Sequence, residues 1–151
     1  MTNFQRTASW FAACGKQPGN EDHFSTQIGC DLEEFVEGLS CIELNLQPQA
    51  MDEAVAAISL LESLAGLLKI GAVKARIVEG KRAEFLDAIC DREVTGNGLA
   101  YLAGFDKDGA DEAVLNSNDS KLEDGKPVFV EGTSKIGKGR WYVAPDLTPY
   151  I

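Results

Sequence analysis

Apolar residues recur at helical spacing along most of the chain and give way to short β-type runs only near its end. Residues 3–14 place Phe4, Trp10 and Phe11 on a short amphipathic helix that Gly15 is positioned to stop, ahead of the loop Gln17-Pro18-Gly19-Asn20. A second helix is predicted from His23 to Leu46, ending before Pro48. Its Ile28, Leu32, Phe35, Leu39 and Ile42 are spaced four, three, four and three apart, which is a packing seam. The clearest helical pattern covers 52–79, with Ala54, Val55, Ile58, Leu61, Leu64, Ala65 and Leu68 apolar. Gly66 and Gly71 each weaken it by about 1 kcal/mol relative to alanine, so one of them is expected to mark a break or a close helix contact. A fourth helix is expected over 82–103, with Phe85, Leu86, Ile89 and Cys90 as its contacts, and a shorter one over 106–121. Residues 122–126 read as a turn. The runs 127–130 and 140–143, joined by a Gly- and Lys-rich stretch, predict a small hairpin, and Pro145-Asp146-Leu147 predicts an extended tail. The expected architecture is mainly α in a single domain over 1–151. A helical core covers about 3–121, with a small C-terminal β-hairpin and tail over 122–151.

Length and composition narrow the function. The 151 residues, 44% hydrophobic and 25% charged, suit one globular domain. A net charge of −10 disfavours a nucleic-acid surface, which needs clustered Lys and Arg. A nucleotide carried with magnesium remains compatible, because the metal brings its own positive charge. The cysteines at 14, 30, 41 and 90 form no Cys-x-x-Cys pair and His23 is the single histidine, so a Cys/His zinc site is not expected. They read as reduced, mostly buried thiols of a cytoplasmic protein. The opening MTNFQRTASW has no apolar leader run, and the longest apolar stretch, 54–73, is interrupted by Ser59, Glu62, Ser63 and Lys69. No membrane partner is expected.

The chemistry concentrates in two acidic steps. Glu34 and Glu37, and likewise Glu84 and Asp87, stand three residues apart, which on a helix puts both members of each pair on one side. Asp91 extends the second stripe by one further turn. Cys30 and Cys41 bracket the first stripe, so it reads either as a semi-buried acidic pocket or as an ordinary solvated face. Carboxylates gathered in one place repel one another unless a hard cation such as Mg²⁺ compensates them.

Glu33-Glu34-x-x-Glu37 followed by Glu84-x-x-Asp87 resembles the ExxE…ExxD signature of the MazG-like and phosphoribosyl-ATP pyrophosphohydrolase-like all-α nucleoside triphosphate pyrophosphohydrolases. Ser117-Asn118-x-Ser120-Lys121, Asp124-Gly125-Lys126-Pro127, and Lys135-x-x-Lys138-Gly139 with Tyr142 and Pro145-Asp146-Leu147 resemble the C-terminal region of a bacterial and phage branch. The spacing departs from the compact family pattern between the two steps. Ala113 stands where branch members carry an acid, with Glu112 one place away. The resemblance implies a helical bundle that cleaves the α–β phosphate bond of a nucleoside or deoxynucleoside triphosphate, releasing a monophosphate and pyrophosphate. It implies Mg²⁺, replaceable by Mn²⁺, on Glu34, Glu37, Glu84 and Asp87, with Asp91 as a further ligand or as a group that orients one. Glu33 is a candidate base, a partner to a ligand, or a surface group. Asn118 and Lys121 are phosphate-binding candidates, with Lys135 and Lys138 behind them, and Trp10 is a candidate for stacking on the base. A homodimer or homotetramer is implied. The substrate class stays open among purine triphosphates of the (d)GTP type in phage pool control, phosphoribosyl-ATP and modified nucleotides. A non-catalytic helical interaction module is the rival.

Overall fold

The computed structural model describes residues 1–45, 47–131 and 136–151; Leu46, where the second helix was expected to end, and Lys135 lie outside them. Among the described residues the chain is mainly helical, with a two-stranded antiparallel sheet near the C-terminus. The helices are α1 (Asn3–Ala13), α2 (Glu21–Ser40), α3 (Pro48–Lys69), α4 (Arg82–Ala103) and α5 (Lys107–Asp119). No helix among these residues is long and apolar enough to cross a membrane. The chain divides into two compact units, one of residues 18–78 and one of residues 1–17 with 79–151.

The unit of residues 18–78 is a helical hairpin. Asn20 caps α2, its side chain accepting from the His23 N–H at 2.9 Å, with Glu21 and Asp22 in the first turn. The helix therefore begins two residues before the expected His23. It ends at Ser40, well short of Leu46. Gly38 weakens the last turn, and the Ser40 hydroxyl and Cys41 thiol both donate to the Glu37 carbonyl, an alternative to continued helix. α3 starts at Pro48, where a proline forfeits no helical hydrogen bond, and stops at Lys69, ten residues before the expected end. Gly71 is the break, in the left-handed conformation with φ of 75°.

The line along which α2 is most deeply buried is shifted from the expected seam. Ser25, Gly29 and Val36 of α2 are buried, as are Ala65 and Leu68 of α3; of the expected seam Ile28, Leu32 and Leu39 are half-buried, while Phe35 and Ile42 are exposed. The reason lies at Gly29. A Cβ there would sit 2.8 Å from the Ala65 carbonyl oxygen and 3.1 Å from the Leu68 Cβ. At Gly29 the helices approach closely because no side chain stands between them. The hydroxyl of Ser25 donates to the Glu21 carbonyl and accepts from the Ala75 N–H at 2.8 Å, tying the segment after α3 back to α2.

In the other unit, a capping box starts α1, with Thr2 and Gln5 each bonded to the other's backbone N–H. α1 is fastened to α5 by Arg6. Its guanidinium donates to Glu112 at 2.8 Å, to Asn116 at 2.5 Å and to Asp119 at 2.6 and 3.0 Å. α4 ends at Gly104, where the Gly104 and Phe105 N–H groups close on the Tyr101 and Ala100 carbonyls. The last turn, Thr148–Tyr150, docks on the start of α5. The Asp106 N–H donates to the Tyr150 carbonyl at 2.9 Å, and the Tyr150 ring lies where a Cβ on Gly109 would be.

The sheet pairs β1 (Leu122–Glu123) with β2 (Lys126–Pro127), so the expected hairpin of 127–130 with 140–143 is not formed. Asp124 and Gly125 both have positive φ, 51° and 74°, as a two-residue hairpin loop demands. Phe129 instead makes an isolated bridge to Ile136. Residues 140–143 are pinned by polar groups: the Arg140 N–H donates to the Glu123 carboxylate at 2.6 Å, and the Val143 N–H to the Ser120 hydroxyl at 2.9 Å.

Candidate functional site

The candidate residues fall into three sets. On α2, Glu34 and Glu37 are exposed and Glu33 is half-buried. Helical spacing places Glu33 and Glu37 one turn apart. The Lys69 ammonium from α3 donates to Glu33 Oε1 at 2.5 Å, and that hydrogen bond, opposed by partial burial and aided by the charges of Glu33, Cys30 and Glu37, holds Lys69 above the ordinary lysine range. Cys30 is half-buried, but Cys41 lies beyond the helix end and is exposed. The stripe is thus a solvated face with a cation clamped to one edge, not the semi-buried pocket that its cysteines suggested.

On α4, Glu84, Asp87 and Asp91 are exposed at spacings of three and four. Both Glu84 oxygens accept from Lys81, at 2.8 and 2.6 Å. The two α4 aspartates stand on the same side, one turn apart. Within either unit, the described residues contain no group of three or more His, Cys, Asp or Glu side chains arranged to hold one ion.

The third set draws together residues far apart in sequence. The Trp10 indole N–H donates to the main-chain carbonyl of Asn118 at 2.8 Å, seating the ring against the end of α5. Lys121 donates to Asn118 Oδ1 at 2.8 Å, and its ammonium stands 5.9 Å from the Trp10 ring centre. Phe11 meets Trp10 edge to face at 5.5 Å. Cys14, which caps the end of α1, is buried. Burial pushes its thiol up, while the charges of Lys16 and Lys121 pull the other way. The base-stacking candidate Trp10 and the phosphate-binding candidates Asn118 and Lys121 are therefore neighbours. Lys138 is exposed, with its ammonium 4.7 Å from the Tyr142 ring centre.

Some expectations change. Cys14 alone of the four cysteines is buried, and no disulfide joins any of the four. Glu112 is ion-paired with Arg6, which makes it a docking residue for α1. Lys69 and Gly29 carried no weight in the sequence reading. The available signal was that Lys69 is the one cation in the apolar stretch 54–73. The chain matches no known protein family, no curated protein and no solved structure.

Proposed function

We propose that the chain is a metal-dependent nucleotide pyrophosphohydrolase. The reading is that it cleaves the α–β phosphate bond of a nucleoside or deoxynucleoside triphosphate with water, giving a monophosphate and pyrophosphate. The observation that carries it is the meeting of Trp10, Asn118 and Lys121: an aromatic face, an amide and an ammonium within one small area. That combination suits a base and a phosphate in a chain whose surface is otherwise acidic. The carboxylates on α2 and α4 support the same reading, since exposed oxygen donors in pairs are the ligand type that Mg²⁺ and Mn²⁺ prefer. Glu34 and Glu37 on α2, and Glu84, Asp87 and Asp91 on α4, are the groups proposed to hold the ions. Bound there, the metal would offset phosphate charge and lower the pKa of a bound water. Lys121 and Asn118 bind and orient phosphate oxygens, Trp10 carries the base, and Glu33 holds or accepts a proton at its carboxylate. Purine triphosphates of the (d)GTP type head the substrate list, ahead of phosphoribosyl-ATP and modified nucleotides, in a cytoplasmic setting.

A homo-oligomer is part of the proposal. α4 buries no side chain within its own unit, yet it carries Leu86, Ile89, Val94, Leu99, Tyr101 and Leu102, all exposed. An apolar helix of this kind requires a cover, and a second copy is the expected one.

The second reading, a non-catalytic helical module, is favoured by the exposure of Glu34, Glu37 and Asp87. One experiment separates the two. A panel of NTPs and dNTPs with Mg²⁺ or Mn²⁺ is assayed for pyrophosphate and monophosphate, alongside Glu37→Gln and Asp87→Asn. The hydrolase reading expects pyrophosphate from at least one nucleotide, turnover abolished in each variant, and unchanged circular dichroism. Orthophosphate in place of pyrophosphate, or full activity in both variants, would overturn it.

A further inference from the structure

We propose that Lys121 is a positioning residue for Asn118. Its ammonium holds the amide oxygen, so the amide N–H groups point outward and the site selects a ligand group that only accepts hydrogen bonds, an ionised phosphate. The inference rests on the phosphate-binding reading of these two residues above and adds what orients the amide. It starts from the acceptors. The main-chain oxygen of Asn118 accepts from the Trp10 indole N–H at 2.8 Å and from the Lys121 backbone N–H at 3.1 Å. A carbonyl oxygen has two lone pairs, and both are occupied. Asn118 Oδ1 accepts from the Lys121 ammonium at 2.8 Å. The two arms of an amide diverge from one carbon, so fixing the oxygen on the ammonium directs Nδ2 away from it. Among the described residues, Nδ2 donates to no protein group.

An asparagine left to itself presents its oxygen or its nitrogen with nearly equal ease, and the lysine removes that choice. What faces a ligand here is the amide N–H pair and the remaining ammonium N–H bonds, all donors. The surrounding charge agrees. Glu112 and Asp119, the acids of α5 nearest Asn116, are paired with Arg6 at 2.8 and 2.6 Å, while the charges of Lys16 and Lys121 both reach Cys14 at the end of α1. A lysine that served only to offset the negative end of α5 would have no need of the Asn118 side chain.

The test is ¹H–¹⁵N nuclear magnetic resonance of the full chain, following the Asn118 side-chain amide pair, assigned by its loss in Asn118→Ser. The probe is pyrophosphate without metal. In wild type the amide should be nearly as ordered as rigid backbone, with an order parameter of about 0.85, and pyrophosphate should shift its resonances. Lys121→Met should drop the order parameter below about 0.6. It should also weaken pyrophosphate binding about tenfold or more, the loss expected of one charge-assisted hydrogen bond. Lys121→Arg should restore both. Should Lys121→Met lose its helical signal, Lys121→Ala carries the same expectation. An amide as ordered in the folded variant as in wild type overturns the inference, since a lysine acting through charge alone would leave that motion unchanged. So does pyrophosphate that leaves the wild-type amide unmoved, even where a nucleotide is hydrolysed. Pyrophosphate binding with the expected signature, but no pyrophosphate released from any nucleotide, upholds the role of Lys121 and overturns the hydrolase reading alone.

Discussion

Alanine at Gly29 tests the packing of the α2–α3 hairpin at its tightest point. The added Cβ would lie 2.8 Å from the Ala65 carbonyl oxygen, 2.8 Å from Lys69 Cγ and 3.1 Å from Leu68 Cβ. The lysine stem can swing away, but the carbonyl belongs to helical backbone and moves only if the helices separate. Overpacking of this kind costs about 1–3 kcal/mol. Replacing a helical glycine by alanine returns about 1 kcal/mol, so the net loss is on the order of 1 kcal/mol and the sign is unfavourable. Gly66 provides the control on the facing helix, because a Cβ there meets nothing within 4 Å. Gly66→Ala should gain up to about 1 kcal/mol from backbone propensity alone. At roughly 2–4 °C per kcal/mol for a chain of this size, the two variants should differ by about 4–8 °C in melting temperature, with wild type between them. Thermal and urea unfolding followed by far-ultraviolet circular dichroism reads the difference. If Gly29→Ala melts with Gly66→Ala above wild type, the close approach of the helices at Gly29 is wrong.

Other outcomes follow from contacts inside each unit. Arg6→Lys keeps the charge but loses the fork that serves Glu112, Asn116 and Asp119, and should destabilise the α1–α5 contact by about 1–2 kcal/mol in urea unfolding. Gly109→Ala drives a methyl into the Tyr150 ring and should release the last turn, seen as faster carboxypeptidase removal of the final residues with the far-ultraviolet spectrum largely kept. The hydrogen bond from Lys74, with its charge, holds the Asp22 carboxyl below the usual carboxylate range. A lowered pKa contributes stability that is present above the unfolded value of about 4 and lost as pH falls through the folded one. The melting curves of wild type and Asp22→Asn should accordingly differ near neutral pH and converge on acidification.

Helix existence was readable from period and punctuation; helix length was not. Gly15 and Gly71 do stop helices, and the acidic start at Glu21 and Asp22 reads correctly once Asn20 is recognised as the cap. The helix expected over 52–79 stops at Lys69, and its predicted last turns sit beyond the left-handed Gly71. The packing seam was misjudged for a physical reason. Periodicity weights large side chains, whereas on α2 this hairpin closes through Ser25 and Gly29, which periodicity counts as weak or silent. The hairpin near the C-terminus was displaced because Asp124-Gly125, a strong turn signal, recruits its immediate neighbours in preference to the more apolar runs further out. At the site, the gathering of Trp10 with Asn118 and Lys121 joins positions more than a hundred residues apart, a juxtaposition that one sequence does not encode locally. The Glu33–Lys69 clamp was hidden for the same reason.

The bond from Trp10 ends on the carbonyl of Asn118 and not on its side chain. Every residue type possesses that carbonyl, so the seat of α1 against α5 is indifferent to what stands at position 118. The amide of Asn118, engaged with Lys121, belongs to a separate transaction. Substitutions at 118 can therefore retune what the lysine meets without undocking the helix that bears the indole. Anchorage is written in backbone and preference in side chain, at one and the same residue, which leaves this position free to diverge.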